Sequence, residues 1–348
     1  MSDPNLQYCQ QLISNKTDNF SRAICLTANH SISDIINHFQ KYPQYKKHLT
    51  PEVASKIHHP ESMTEKDFHI ARAAFLKKNI WDNGHTLRIA FLNGSDDNKS
   101  WVQQVINNNF ILKKSFIHIN LDWDVPPQDS DIRIYFDPAL MEGKMGNSGS
   151  WSLIGTEVLD QQYDSSLPID QPPNATIHYS WLDQTEDNTG SAPDGSAIGT
   201  GAVVIHEFGH ALGMIHEHQR SDTGIVWNKQ LVYCYFEGPP NDWDQSTVDE
   251  NVFQTYDIST LNASAYDPKS IMEYYYPPSF FIQGPTLAYN VQLSDLDMEW
   301  LGKVYPGGSG KIMGNVIIGN SVSNILYSPI TIGAIILLVI IILLLLIK

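Results

Sequence analysis

Cysteine is scarce in this sequence. Cys9, Cys25 and Cys234 are three in 348 residues. That is too few for the disulfide framework of a small secreted domain, and an odd number leaves one thiol over. The scarcity leads us to expect a reducing compartment. Basic residues are also short: 22 Lys and Arg stand against 38 Asp and Glu, a formal charge of −16. Such a surface repels phosphate backbones, which excludes a nucleic-acid binder working through a basic face. Charged residues make up only 17% of the chain and apolar ones 42%, which excludes wholesale disorder. The chain is long enough to bury a core, and no internal repeat recurs in it. Its first residues, MSDPNLQYCQQLISNKTDNF, hold neither a basic start nor a run of seven apolar residues, so no cleavable export signal is expected. The sequons at Asn93 and Asn174 then carry no weight.

One long apolar run is present, at the other end. Ile330–Ile347, ITIGAIILLVIIILLLLI, has eighteen residues without a charge. As a helix it spans about 27 Å, close to the hydrocarbon core of a bilayer. It predicts a transmembrane anchor at 330–347 behind a Gly/Ser/Asn-rich linker at 307–329. A span so near the C-terminus inserts after synthesis, so the expected topology is a tail anchor with the remainder facing the cytosol. The membrane would be a cellular one, or that of a virion if the chain is viral. The GGSGK of the linker lacks the spacing and the hydroxyl residue of a phosphate-binding loop.

Residues 1–80 read as a helical, His-rich segment, either accessory or resembling a pro-segment. Ile32, Ile35, Ile36 and Phe39 recur at helical spacing and Pro43 ends the run. A second helix is expected from the capping pattern Ser62–Glu65, with Phe68, Ala71 and Phe75 on one face. From residue 81 the texture changes. Strands are predicted at 86–92, 116–123, 131–136 and 175–181, and Trp101, Val102, Val105, Ile106 and Phe110 form a helical face. A long helix begins near Gly201, and a last one, Leu293–Val304, carries Ser294 as its cap with Asp297 three residues on.

The chemistry concentrates in VVIHEFGHALGMIHEHQRSD, 203–222. His206 and His210 are four apart, so a helix presents both imidazoles on one face. Gly213 ends that helix by taking a left-handed conformation, and His216 can then swing back as a third ligand. Three neutral imidazoles leave a Zn²⁺ ion its full charge and one open position, lowering the pKa of water there to about 7. Glu207 stands beside the first ligand, placed to take the water's proton and pass it to a leaving amine. The pattern His-Glu-x-x-His-x-x-Gly-x-x-His is set in an apolar helix, which favours a site over a pair of satisfied core histidines.

HEFGHALGMIHEHQR resembles the zinc signature of the metzincin metallopeptidases, nearest to the astacin-type branch, in which Glu and Arg follow the third His, here Glu217 and Arg220. A second mark lies 56 residues past His216: Ser270-Ile271-Met272-Glu273-Tyr274 is similar to the family's Met-turn. The resemblance covers residues 82–306. It implies an α+β, zincin-like catalytic domain (81–306) with a twisted mixed sheet, an active-site helix and an irregular C-terminal subdomain. It implies one catalytic zinc on His206, His210 and His216, with Glu207 as base and Tyr274 stabilising the oxyanion. The implied partner is a protein or peptide substrate, bound extended along the sheet's edge strand. Glu273 departs from the His common in that turn, and Cys234 alone cannot supply the disulfides of secreted astacins. In a matrixin-like relative, the alternative branch, the resemblance does not imply that role for Tyr274.

Smaller features read blandly. His218 is expected in a solvent-facing loop, His58 and His59 on the surface, Glu217 in a structural role, and the acidic stretches 183–187 and 242–250 in solvated loops. Neither Cys9 nor Cys25 lies in a recognisable zinc-blocking motif. The rival to an enzyme is a catalytically silent, zinc-stabilised binding module displayed on a membrane. A third reading gives the main function to residues 1–80. The oligomeric state is not encoded in any feature found.

Overall fold

The computed structural model describes residues 26–27, 32–41, 43–64, 66–68, 79–112, 117–142, 149–168, 174–182, 201–238, 242–256, 258, 264–307 and 312–313. The expected anchor at 330–347 lies outside them, and among the described residues no helix is long and apolar enough to cross a membrane.

The chain begins with β1 (Leu26–Thr27), α1 (Ile32–Lys41) and α2 (Pro51–Lys56). Ile35, Ile36 and Phe39 are buried together with Val53, Ile57 and Met63 in a cluster of their own. Pro51 opens α2, where its missing N–H costs nothing, and the Thr50 hydroxyl accepts the Val53 N–H at 3.3 Å. The next cap falls two residues later than the sequence pattern predicts. Thr64 and Asp67 exchange hydrogen bonds, at 2.8 and 3.3 Å, because Asp67 rather than Glu65 reaches back to the cap N–H. Ala71 and Phe75 lie outside the described residues.

The main body follows as β2 (Thr86–Phe91), α3 (Asp96–Ile106), β3 (Asn120–Trp123), β4 (Ile132–Phe136), β5 (Trp151–Ser152), β6 (Ile177–Tyr179) and α4 (Ala202–Ala211). It continues with β7 (Val226–Trp227), α5 (Lys229–Phe236), β8 (Phe281–Gln283), α6 (Asp295–Val304) and β9 (Ile312–Met313). The sheet runs β1-β5-β6-β4-β2-β3-β9, all parallel except the β5–β6 pair, so it is mixed. Central β4, IRIYF, is buried at every position, as a strand covered on both faces must be. The strand expected from 116 starts only at Asn120. Ile117 and Ile119 are core residues, but the His118 N–H goes to Tyr305 O at 3.0 Å instead of into the ladder. Ile312–Met313, inside the stretch read as linker, pair with Leu121–Asp122 at the far edge.

Helix α4 lies against β5 and β6, with α3 beside it, and Phe110 meets Phe208 edge-on at 5.1 Å. Asn79 joins this body, its side chain donating to Glu157 at 2.7 Å and its carbonyl accepting from Thr156 at 3.0 Å. Past Gly213 the chain builds a second apolar cluster around Leu231, Phe236, Val252, Tyr276 and Phe280. The site lies where the two clusters meet. On the opposite side of β5 from β6 sits β1, Leu26 pairing with Trp151 and Thr27 with Ser152.

Candidate metal centre

All ten residues of α4 are buried. A helix apolar almost all round is stable only inside a core, and this one is wrapped by sheet, α3 and the Met-turn. Its end is built as firmly as its body. Gly213, at φ 92°, takes the left-handed conformation; its N–H reaches His210 O at 2.8 Å and the Met214 N–H reaches Gly209 O at 3.0 Å. A Cβ at Gly213 would stand 2.5 Å from Ile80 Cδ1. Trp81 Nε1 and the Tyr305 hydroxyl take the next free carbonyls, Ala211 O and Leu212 O, at 2.8 and 2.7 Å. Gly209 lets the Met-turn approach, since a Cβ there would lie 2.9 Å from Met272 Sδ.

That turn of chain returns His216 to the face that carries His206 and His210. The Nε2 atoms of His206 and His210 lie 3.2 and 3.0 Å from His216 Nε2. Their Nδ1 atoms face carbonyls, Ile271 O at 2.7 Å and Met214 O at 2.8 Å, and must carry the protons. Two bare Nε2 lone pairs therefore converge on a third imidazole, whose one proton cannot serve both. A cation satisfies all three, and a set of three imidazole nitrogens suits zinc. Among the described residues these three form the group able to hold a metal ion. Burial pushes the His206 pKa down to about 4, and the pKa values of His210 and His216 well below their ordinary value, so the lone pairs stay free at neutral pH. Glu207 is buried on the same helix. Half-buried Tyr274 lays its ring 4.3 Å from His216 and 5.2 Å from His206.

No protein-family model matches the chain, and no curated protein does. Solved structures do match. Myroilysin, an astacin-family M12 metalloprotease, is 30% identical over 67% of this chain and 98% of its own, with a TM-score of 0.52. The chain belongs to the astacin-like metzincins. A second myroilysin structure is 31% identical over 66% of this chain and 86% of its own (TM-score 0.44). High choriolytic enzyme 1, a hatching-enzyme zinc protease from Oryzias latipes (medaka fish), is 17% identical over 66% and 95% (TM-score 0.39). The chain is thus a zinc metallopeptidase.

This astacin-like site includes residues that local sequence reasoning missed. His218, expected in solvent, is buried. Its Nε2 meets Asn251 O at 3.1 Å and the Tyr276 hydroxyl at 3.3 Å, and its ring lies 5.2 Å from both His216 and Tyr274. Burial drives its pKa down to about 3. The cover comes from Asn251 and from the rings of Trp227, Tyr274 and Tyr276, brought together by the fold. Acidic residues gather around the buried Arg220. Glu217 accepts the Asp267 N–H at 3.1 Å and lies 3.5 Å from Arg220 Nε, and Arg220 holds Asp222 through two 2.9 Å bonds. Desolvation raises the Glu217 pKa to about 7 and that of Glu273, the departure from the family's His, to about 8. His58 and His59 are exposed, as expected. Of the acidic stretches, 183–187 lies outside the described residues, and in 242–250 Asp244 caps a short helix.

Cys234, buried in α5, is disulfide-bonded, and its partner lies outside the described residues. Low cysteine number did not prevent a bridge.

Proposed function

We propose that the chain is a zinc-dependent endopeptidase with one catalytic ion, tethered to a membrane by residues 330–347. The observation that carries the reading is the convergence of three Nε2 lone pairs beside a buried carboxylate, Glu207, one position from the first of them. Zinc, when bound by His206, His210 and His216, polarises the scissile carbonyl and acidifies a water. Glu207 takes the proton from that water during attack and returns it to the leaving amine, which restores the carboxylate for the next turnover. The Tyr274 hydroxyl donates to the oxygen on which charge develops. An extended substrate adds to the edge of β5 that faces away from β6, by backbone hydrogen bonding.

In the full chain that edge is where β1 pairs. This supports a latent form in which residues 26–27 stand in the substrate's place. The test is hydrolysis of an unfolded protein by the full chain and by a chain starting at residue 79, each with zinc quantified. We expect one zinc in both, faster turnover by the shorter chain, loss with a chelator and recovery on adding zinc. Zinc bound in both with no cleavage by either would hand the site to the silent binding module.

The anchor rests on the hydropathy of 330–347, and the bridge at Cys234 favours a catalytic domain on the oxidising side of that membrane. That reverses the orientation expected from cysteine number. Full-length protein should partition into detergent, whereas a chain ending at 311 should not, and Cys234 should react with a maleimide only after reduction. Release of the full chain by salt alone would overturn the anchor; alkylation without reductant would overturn the orientation.

A further inference from the structure

We propose that Asp297 is a positioning residue for the metal centre, acting from the last helix through the Met-turn; the role rests on the zinc-peptidase reading above. Asp297 is buried in the first turn of α6. Its Oδ2 accepts the Ser294 N–H at 2.9 Å, the one bond that the capping box needs. Its other bonds leave the helix. Oδ1 accepts the Ser270 hydroxyl at 2.6 Å, and Oδ2 also accepts the Ile271 N–H at 3.0 Å. Ser270 Oγ in turn accepts the Met272 N–H at 3.0 Å, and Ile271 O accepts His206 Nδ1–H at 2.7 Å.

The Met-turn belongs to no ladder, so its buried N–H groups depend on such side-chain acceptors. One carboxylate thus holds three things in register. It fixes the backbone that seats Met272 beneath Gly209, the start of the segment that carries Tyr274, and the carbonyl that sets the tautomer and plane of His206. Partners of this kind, one bond behind a metal-binding His, change metal affinity or activity by about 10- to 100-fold when removed.

The experiment compares Asp297→Ala, Asp297→Asn and Ser294→Ala in the full chain. It reads zinc affinity by competition with a chromophoric chelator, the thermal midpoint, and kcat and KM separately. Ser294→Ala removes the cap of the same helix and the Ser294 hydroxyl's bond to Asp267 but leaves the Asp297 bonds to the Met-turn, so it controls for loss of the helix start. We expect Asp297→Ala to weaken zinc binding by about 10- to 100-fold and to lower kcat with KM little changed. Asp297→Asn keeps part of the acceptor set and should fall between Ala and wild type, which covers the case of an Ala variant that does not fold. Ser294→Ala should lower the midpoint and leave zinc affinity within about twofold of wild type. Equal zinc loss in the Asp297 and Ser294 variants, or wild-type affinity in both Asp297 variants, would overturn the proposal. A wild type that binds zinc without hydrolysing anything would refute the enzyme reading instead, while the affinity comparison would still stand.

Discussion

Glu207→Gln should lower kcat by about 10²- to 10⁴-fold while zinc content and thermal midpoint stay at wild-type values. The size follows from what Gln removes. It matches Glu in shape and fills the same buried place on α4, but it cannot accept a proton from the attacking water. Because that transfer belongs to the transition state, kcat and kcat/KM should fall together, with KM little changed. Tyr274→Phe gives the scale. Its ring would still stack on His206 and pack against His216, and only the hydroxyl would be lost, so a drop of about 10²-fold is expected. Steady-state kinetics on a quenched peptide, with zinc measured on the same samples, decides the matter. A Glu207→Gln protein that lost its zinc would make Glu207 a structural or ligating group. One that still cleaved at the wild-type rate would remove it from the mechanism.

What could be read from the sequence was local, and what could not was supplied from a distance. His206, His210 and Gly213 lie within one helix and its end, so a helical period and one left-handed residue bring His216 back to them. The cap of α6 was equally legible, since Ser294 and Asp297 are three apart and bond each other. The pair β1–β5 was not. Two-residue strands have no period, and their partners lie more than a hundred residues apart. Nor was the burial of His218, which depends on a carbonyl 33 residues away. The second role of Asp297 was hidden for a different reason. Its helix cap explains the residue so fully that nothing in the sequence asks for the bonds to Ser270 and Ile271. Cys234 shows the limit of counting: three cysteines argued against a disulfide framework and for a reducing compartment, yet Cys234 is disulfide-bonded.

Glu273→Gln should stabilise the protein at alkaline pH and leave it nearly unchanged in mild acid. Glu273 is 3% exposed, and the donors that face its carboxylate are the Tyr266 hydroxyl and the Tyr274 N–H. Burial first, and then the charge of Glu217, raises its pKa from 4.5 to about 8. The sign follows from proton uptake. Below the unfolded value both states hold the proton, and the group does not alter stability. Between there and about 8 the unfolded chain has lost its proton and the folded one keeps it, so stability falls as pH rises, by about 1.4 kcal/mol per pH unit at most. Above 8 both states are ionised, and the full cost of the buried carboxylate remains. Gln removes that titration and the repulsion of Glu217 together, for an expected gain on the order of 5 kcal/mol at pH 9. Denaturant midpoints of zinc-loaded wild type and variant at pH 5 and pH 9 check this, because contributions from zinc and from every other group are common to both proteins. The two should agree at pH 5 and diverge at pH 9. Parallel curves across that range would mean that Glu273 does not titrate with a raised pKa, and would overturn the prediction.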